Sequence, residues 1–521
     1  MKFTRIIPLG SMIIIIVLGF GVYITSLTGS FLSYDDSLIS GNPEIRSWSN
    51  VPAVFIKEAI PSYAGKIPRM YRPIQMITYM ADYSVWGIRP IGYHLTNVLL
   101  HLLAALSLYW FVSLLTSGRF IPFITSVLFV THPVHAESVA YISGRAGPLS
   151  VVCAMICFIL DIKYTQKERA GFFIAAFIAF VSALLSRENM MILPALFLAY
   201  NYLFRKKAGL KLIAALTVTA VSYTLLRLML AKSFLSDFNV TFGTTPVQRL
   251  PGFLVAVTDY CRLLISPCSS RMEYGDKLFH FADLAALFGA VILIVLLYTA
   301  FKLRRSDPLV TFAIGWFLIA LLPVSNIYPV GAYMAEQWLY LPSIGFFLGA
   351  GILLRSLCVN RYLAVLLAIF MVALVGRYSY ATLKKNINWH DPVIYYGNTL
   401  KNYPESVKAN NDMAAAYEKA GRYDDASGIY NGMLKQNPDH PGLYVNLAAI
   451  QIIKGNPDKA ITLCEKAIAL EPTNATAHNN LAVAYYVEGE YNLAIHYCDL
   501  ALKYGYKVKP ELLELLRPYR E

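Results

Sequence analysis

The stretch YEKAGRYDDASGIYNGMLKQNP, residues 417–438, recurs as QIIKGNPDKAITLCEKAIALEP at 451–472 and as YYVEGEYNLAIHYCDLALKYGY at 485–506. The three copies are 34 residues apart and share small residues at two places. These residues are Gly421, Gly455 and Gly489, and Ala426, Ala460 and Ala494. A fixed period of tens of residues is the signature of a repeat architecture, in which each unit buries its apolar face against its neighbours. The C-terminal part is therefore expected to be a stack of helical repeats.

Prolines close these units and indicate their type. Pro438 and Pro472 end two repeats, and Pro404 lies one period earlier. Small residues where two helices meet, followed by a terminal proline, are typical of tetratricopeptide (TPR) repeats. The expected boundaries are 381–404 for a linker with a partial repeat, 405–506 for three TPR repeats and 507–521 for a capping helix.

The inner face of such an α-solenoid is its usual binding surface. The residues expected on this face are Lys408, Asn411, Glu418, Asn479 and Tyr486. They form no strong charge patch, so they do not identify a ligand. TPR repeats usually bind peptides, and we therefore expect this half of the chain to dock a protein or peptide.

Residues 1–380 have a different character. The chain of 521 residues is 57% hydrophobic and 15% charged, whereas soluble domains carry roughly a quarter charged residues. A membrane span needs about 20 mainly apolar residues. The runs that fit, some of them short, are 6–27, 91–116, 119–133, 149–162, 171–186, 189–204, 211–230, 282–303, 308–324, 339–356 and 361–379. The sequence therefore predicts an all-α, polytopic helical bundle of about eleven spans over 1–380, followed by the TPR solenoid.

Lysines and arginines between the runs predict the orientation, because cytoplasmic loops carry an excess of them. This excess also accounts for the net charge of +13. No basic, aromatic-interleaved module is present, so nucleic acid is not an expected partner. A consistent alternation arises if the ambiguous segment 251–267 does not cross. The first loop, 28–90, and the C-terminus then lie together outside the cytoplasm, whereas a twelfth crossing would separate them.

Two adjacent acids lie where the chain leaves the first run, in FLSYDDSLISGNP, residues 31–43. The simplest interpretation is a helix cap beside a solvated acid. If the segment is extended, neighbouring side chains point to opposite sides. At most one of Asp35 and Asp36 can then face a substrate, while the other caps backbone or holds a partner residue. The pattern does not choose between them.

Further polar residues recur in loops on the same expected side. They are Arg72; His132, His135, Glu137 and Arg145 in THPVHAESVAYISGR; Arg187 and Glu188 in LLSRENMM; and Glu336 in YMAEQWLYLPS. Charges at membrane depth cost roughly 2.5–3.5 kcal/mol each on insertion scales. Any one of them is explained by a wet loop, but their accumulation on one side indicates a site.

Histidine and glutamate in HPVHAE are good metal ligands. However, the spacing is not a zinc arrangement on one helix face, and Pro133 disturbs the turn between the histidines. The seven cysteines form no metal or disulfide framework. We therefore expect no metal at this site.

Taken together, these segments resemble the transmembrane-and-TPR O-mannosyltransferases, members of the GT-C glycosyltransferase superfamily. The resemblance covers nearly the whole chain. It rests on YDD in the first loop, HPVHAE followed by GR, SRE, RLLISPCSSRMEY, AEQWLYLPS and the TPR repeats. Three positions depart from the family pattern. Gly147 stands where the family usually has an acid, Arg187 where it has lysine, and Gln337 where it has arginine.

The resemblance implies a GT-C-like bundle that moves a sugar, expected to be mannose, from a polyprenyl-phosphate donor to Ser or Thr hydroxyls of proteins, with inversion. It implies no cofactor beyond this donor substrate. Asp35 or Asp36 would be the general base, and the TPR repeats would dock the acceptor protein. Arg145, Arg187 and Arg72 would contact the donor phosphate. His132, His135, Glu137, Glu188 and Glu336 would orient the acceptor or the first loop.

Two alternatives remain beside this interpretation. One is another GT-C transfer, to a lipid or a polysaccharide. The other is a non-enzymatic membrane scaffold whose TPR repeats recruit partners. A scaffold does not need the acids of the first loop, so Asp-to-Asn substitutions distinguish it from a transferase.

Overall fold

The computed structural model describes residues 8–32, 35–56, 71–204, 210–230, 245–267, 279–326, 332–402 and 404–520. The chain divides into two compact units, Met1–Asp391 and Pro392–Glu521. Every regular element in the described ranges is a helix, which confirms the all-α prediction.

Long apolar helices dominate the first unit. Its described helices are α1 (Leu9–Tyr23), α2 (Val51–Ile56), α3 (Pro73–Trp86), α4 (Pro90–Leu115), α5 (Phe120–Thr131), α6 (Ala136–Ala140), α7 (Ala146–Lys167), α8 (Ala170–Ser186), α9 (Leu193–Phe204), α10 (Leu210–Leu230), α11 (Pro246–Ile265), α12 (Leu284–Leu303), α13 (Pro308–Leu321), α14 (Ser343–Leu357) and α15 (Arg361–Asn388). Most predicted runs contain one of these helices, whereas α2, α3 and α6 lie outside every predicted run and α15 continues beyond its run, from 379 to Asn388. The run expected from 189 differs, because a short turn occupies its start and the helix begins at Leu193.

Six stretches of the described residues are long and apolar enough to cross a membrane. They are Leu9–Thr28, Pro90–Leu115, Ile142–Lys167, Leu210–Arg227, Leu284–Leu303 and Arg361–Asn388. Shorter apolar helices lie among them, at Phe120–Thr131, Ala170–Ser186, Pro308–Val324 and Ser343–Leu357. The chain is thus an integral membrane protein. The eleven crossings and their orientation stay predictions.

Segment 251–267 lies largely within α11, which is amphipathic. Its buried face includes Val257, Tyr260 and Leu264, whereas the side chain of Arg262 is more than half exposed. The helix packs closely on α12, where a Cβ on Gly289 would lie 1.9 Å from the carbonyl oxygen of Leu254. An amphipathic helix of this kind favours a position in the interface over a crossing.

The polar motifs lie in short 3₁₀ turns that interrupt the apolar helices. These turns are Pro133–His135, Ile142–Arg145, Glu188–Ile192 and Glu336–Leu339. Pro133–His135 follows α5, Ile142–Arg145 precedes α7, Glu188–Ile192 connects α8 to α9, and Glu336–Leu339 precedes α14. If successive helices alternate in direction, all four turns lie at the same end of the bundle. The same end receives the first loop after α1 and the C-terminus of α15. Contacts between these segments, described below, bear out this convergence.

Helical pairs make up the second unit. Its described helices are α16 (Pro392–Asn402), α17 (Val407–Lys419), α18 (Tyr423–Gln436), α19 (Pro441–Ile453), α20 (Pro457–Leu470), α21 (Ala475–Glu488), α22 (Tyr491–Lys503) and α23 (Pro510–Leu516). The repeated glycines end the first helix of each pair in the left-handed conformation, with φ of 72°, 74° and 85°. The repeated alanines are completely buried where the two helices meet. The small residues of the 34-residue period thus serve the turn and the close approach that the TPR pattern predicts.

Candidate active site

Asp35 holds the first loop against the ISGR turn. Its carboxylate is completely buried and accepts hydrogen bonds from the backbone N–H of Ser143 (2.9 Å), from the Ser143 hydroxyl and from the backbone N–H of Leu32 (3.0 Å). The segment is not extended as considered above, because Asp36–Ser40 forms a π-helical turn. The inequality of the two acids therefore comes from the hydrogen bonds of Asp35 and not from alternation along a strand. The side chain of Asp36 lies outside the described residues.

Arg145 is buried beneath the same turn. Its guanidinium donates to Asn97 Oδ1 (2.7 Å), Thr78 Oγ1 (3.2 Å) and the carbonyl oxygen of Tyr93 (2.8 Å), and it pairs with the carboxylate of Asp82. It also lies over the ring of Tyr79, 4.6 Å from the centroid. A guanidinium with this many internal partners holds the loop and helix ends together. The arrangement supports a positioning role for Arg145 and speaks against the phosphate contact that the resemblance implied.

Arg72 and Glu188 bring two distant motifs together. The guanidinium donates in a two-pronged arrangement, from Nε to Oε2 (3.0 Å) and from Nη2 to Oε1 (2.8 Å) of Glu188. Burial alone raises the pKa of Glu188, but the charge and hydrogen bonds of Arg72 outweigh it and lower the pKa to about 2. The side chain of Glu188 is still 47% exposed, so this pair lies at the edge of the site, where water screens it.

Of the three arginines of this site, Arg187 makes the fewest described hydrogen bonds. Its side chain is nearly buried, and its described contacts comprise one hydrogen bond, from Nη1 to the carbonyl oxygen of Gln337 (3.3 Å). Burial and the neighbouring charge of Arg72 lower its pKa to about 10. A Cβ on Gly147 would lie 3.1 Å from Arg187 Nη1. The departure from the family at 147 therefore makes room for the arginine at 187.

Glu137 binds the backbone of the same residue, Gln337, at its N–H group. Its Oε2 accepts the backbone N–H of Gln337 (3.1 Å), while the carbonyl of Gln337 accepts from Arg187. Burial and the nearby Glu336 raise the pKa of Glu137 to about 7. The AEQ segment is thus held between the HPVHAE and SRE motifs by its own backbone.

Lys385 is a functional candidate that the sequence reading missed. It lies near the end of α15, is buried, and forms an ion pair with Glu336. The predicted run ended at 379, so the lysine was assigned to the linker and not to the bundle. The signal in the sequence was a cation shortly after the predicted apolar run. In the structure the helix continues to Asn388 and therefore includes this lysine.

The two histidines of HPVHAE are structural. His132 Nδ1 accepts the N–H of Val134 (3.2 Å), and its Nε2 lies 3.1 Å from the carbonyl oxygen of Leu264. His135 bonds to the carbonyl oxygen of Phe129 and to the hydroxyl of Ser343. Both rings are completely buried, so they orient their turn and do not face an acceptor. Within the described ranges, no cluster of three metal-ligand side chains occurs.

The proposed ligand face of the TPR repeats is less constrained. Glu418 accepts a hydrogen bond from the Tyr430 hydroxyl (2.8 Å), and the ring of Tyr486 lies 5.6 Å from that of Tyr491. Asn411 is exposed and Asn479 half-buried. The side chain of Lys408 lies outside the described residues, as do residues 268–274 of the RLLISPCSSRMEY motif.

Two family models match the C-terminal unit. A model described as TPR repeat matches residues 450–489, and one described as tetratricopeptide repeat matches residues 407–450. Among solved structures, ArnT from Cupriavidus metallidurans bound to undecaprenyl phosphate covers 93% of this chain, and the match covers 78% of ArnT. The identity is 12% and the TM-score 0.42, an overlap too low to support a conclusion about the fold.

Curated relatives match most of the chain. Protein O-mannosyl-transferase F38B6.6 of Caenorhabditis elegans is 25% identical over 437 residues, which are 81% of this chain and 62% of that protein. Protein O-mannosyl-transferase Tmtc3 of Drosophila melanogaster is 25% identical over 485 residues, covering 76% and 52%. Protein O-mannosyl-transferase TMTC1 of Homo sapiens is 24% identical over 479 residues, covering 78% and 52%.

The chain thus spans about half to three-fifths of the length of these relatives. The resemblance drawn from the motifs is confirmed: over about four-fifths of its length this chain is similar to proteins named protein O-mannosyl-transferases, and it ends in TPR repeats.

Proposed function

We propose that this protein is a membrane glycosyltransferase that moves mannose from a polyprenyl-phosphate donor to Ser or Thr hydroxyls of proteins, with inversion. The observation that carries the proposal is the convergence on Gln337. Motifs from three distant parts of the chain meet at this peptide, because Glu137 binds its N–H and Arg187 its carbonyl. The first loop joins the same end through Asp35 and Ser143. A scaffold has no need for such an assembly.

The chemical step requires one base. The acceptor hydroxyl attacks C1 of the sugar from the face opposite the phosphate, and the C1–O bond to the phosphate breaks. A carboxylate takes the hydroxyl proton, and the polyprenyl phosphate leaves with the bonding electrons. Because a phosphate is a weak base, no general acid is needed, unlike the paired carboxylates of glycosidases.

Asp36 is the proposed base. Asp35 uses its carboxylate oxygens on Ser143 and Leu32, so its role is to fix the loop. Its neighbour is then the acid left to meet the acceptor. The hydrogen bonds of Asp35 support this choice between the two acids.

Arg187 is the proposed phosphate contact. Within the described residues its guanidinium makes one hydrogen bond, and an arginine can bind a phosphate through two parallel hydrogen bonds. Positive charge aimed at the leaving phosphate stabilises the transition state more than the ground state. Arg72 contributes a second positive charge at the edge of the site. The ion pair between Lys385 and Glu336 determines the local charge of the AEQ segment. The acceptor protein docks on the TPR repeats, outside the cytoplasm.

A transfer assay tests the proposal. The full chain, in nanodiscs, is given polyprenyl-phosphate mannose together with Ser- and Thr-containing peptides, a lipid acceptor or an oligosaccharide. Asp36→Asn should lower peptide transfer by at least about a hundredfold, the effect of losing a general base. Asp307→Asn, which retains the N-cap of α13, is the matched control and should transfer normally.

Transfer to peptides that survives in Asp36→Asn would refute the assignment of the base. Transfer only to the lipid or the oligosaccharide would replace the acceptor class. A wild-type protein that transfers to none of them would refute the enzymatic proposal.

A further inference from the structure

The segment at the end of α15 contacts both the first loop and the residue before the Ile142–Arg145 turn, which Asp35 joins to that loop. We call residues 386–390 the junction, because they close the first unit and precede α16. Asn386 Nδ2 donates to the carbonyl oxygen of Val22 (2.7 Å). The ring of Trp389 stacks on that of Tyr141, with centroids 5.2 Å apart and an interplanar angle of 25°.

His390 holds the start of the first loop twice. Its carbonyl oxygen accepts the N–H of Ser30 (3.2 Å), and its Nε2 lies 3.0 Å from the hydroxyl of Thr28. Between these two residues, Gly29 lies against the buried ring of His94, on α4. A Cβ at Gly29 would lie 2.9 Å from His94 Nε2, so the loop has no room to move away from the junction on that side.

The junction thus contacts the chain shortly before each of the two residues that form the Asp35–Ser143 interaction. Thr28 and Ser30 lead into Leu32, whose N–H is bonded to Asp35. Tyr141 directly precedes the Ile142–Arg145 turn that supplies Ser143. A shift of the junction would therefore move the loop and the turn relative to each other, because each is attached to it separately.

We propose that the junction is a positioning element for the transfer reaction, with Trp389 and His390 as its positioning residues. It holds the loop and the ISGR turn in register, so that the acid next to Asp35 is placed against the acceptor hydroxyl. The inference rests on the proposed function for its catalytic consequence. Its structural part, the ordering of the loop by the junction, stands on the contacts alone.

The element predicts a specific kinetic signature. His390→Ala and Trp389→Ala should lower the maximal turnover by about tenfold or more, since a misplaced reacting group is costly. The KM for the polyprenyl-phosphate sugar should change little, because the contacts described for the two residues are with the first loop and Tyr141 and not with Arg72 or Arg187. Trp389→Phe should remain close to wild type, since it preserves the stack on Tyr141.

A double-substitution cycle tests the loop contact directly. Thr28 is exposed, so Thr28→Ala is a mild change that leaves the core intact. If His390 acts through Thr28, the double variant should be no slower than the slower single variant, because residues in one contact are not additive. His280→Ala, an exposed histidine in another loop, is the matched control and should leave turnover unchanged.

Hydrogen exchange of the same variants in nanodiscs supplies a readout that needs no activity. In Trp389→Ala and His390→Ala the amides of Ser30, Leu32 and Ser143 should exchange faster, while those of the TPR repeats should not. Unchanged exchange at these three amides, or turnover equal to wild type in both variants, would overturn the proposal. If wild-type protein transfers nothing, the exchange measurement still decides whether the junction orders the loop.

Discussion

Replacing Arg145 distinguishes a structural arginine from a phosphate-binding one. The sequence alone placed Arg145 and Arg187 in the same role, whereas their surroundings differ. Arg145 has an ionic partner, three hydrogen-bond acceptors and an aromatic ring. Arg187 has one described hydrogen bond to a carbonyl oxygen. The same substitution to alanine should therefore have opposite signatures at the two positions.

The size of the effect follows from the partner left behind. Arg145→Ala strands the buried carboxylate of Asp82, and breaking a buried ion pair from one side costs about 3–5 kcal/mol. Asp82→Asn, added to Arg145→Ala, should restore part of this loss because it removes the stranded charge. In Arg187→Ala the loss is a single long hydrogen bond, about 1 kcal/mol.

Thermal unfolding in detergent, followed beside donor saturation, measures both quantities. Arg145→Ala should lower the melting temperature by several degrees and leave the KM for the donor unchanged in the folded fraction. Arg187→Ala should melt almost as wild type and need much more donor for saturation. Arg187→Lys should be only partly tolerated, since an ammonium cannot form the two-pronged contact.

Wild-type stability of Arg145→Ala together with a raised donor KM would refute this reasoning. It would return Arg145 to the donor site and make its internal contacts incidental.

Three further predictions concern pH, topology and the repeats. The pKa of Glu137 is raised to about 7 from an ordinary 4.5, so the folded state binds this proton more tightly than the unfolded chain does. The wild-type protein therefore loses stability as the pH rises from 4.5 to about 7. Glu137→Gln should melt at a higher temperature than wild type at pH 8 and lose that advantage at pH 4.5. Ser49→Cys in the first loop and Lys507→Cys beyond the last repeat should both react with an impermeant thiol reagent in intact cells, and labelling of the first alone would place the repeats in the cytoplasm. Deleting 405–521 should leave transfer to short peptides nearly intact and impair transfer to full-length acceptors, because docking raises the local acceptor concentration; equal loss for both would assign the repeats a structural role.

Periodic features were predictable from the sequence. Glycines and alanines at a spacing of 34 residues predicted the repeat helices, since these positions depend on local turn geometry and on the closest helix contact. Apolar runs predicted most of the bundle for a similar reason, because each span is recognisable by length and composition alone. The boundary at Leu193 was missed because an apolar 3₁₀ turn, ending in Met190–Ile192, has the same composition as a helix start.

The site was predictable as a set of residues but not as a set of roles. His132 and His135 share their residue type with metal ligands, and only their buried backbone contacts make them structural. Arg145 and Arg187 look alike in sequence because Asp82, the partner that separates them, lies 63 positions before one and 105 before the other. Lys385 was missed since its partner, Glu336, lies on another segment. Pairings between distant segments leave no local pattern.

The bond between Asn386 and Val22 has a consequence for how the protein is made. The two residues are 364 positions apart, and the Thr28–His390 contact spans 362. A ribosome that adds about 5–20 residues per second needs roughly 20–70 s to extend the chain over that distance. Throughout this interval the first span is in the membrane without its final neighbour, and the start of the first loop has nothing from the junction to hold it. The proposed transferase site is therefore among the last parts of the bundle to be completed, and a chain that stalls before residue 386 carries every acid of the loop without the contacts of the junction.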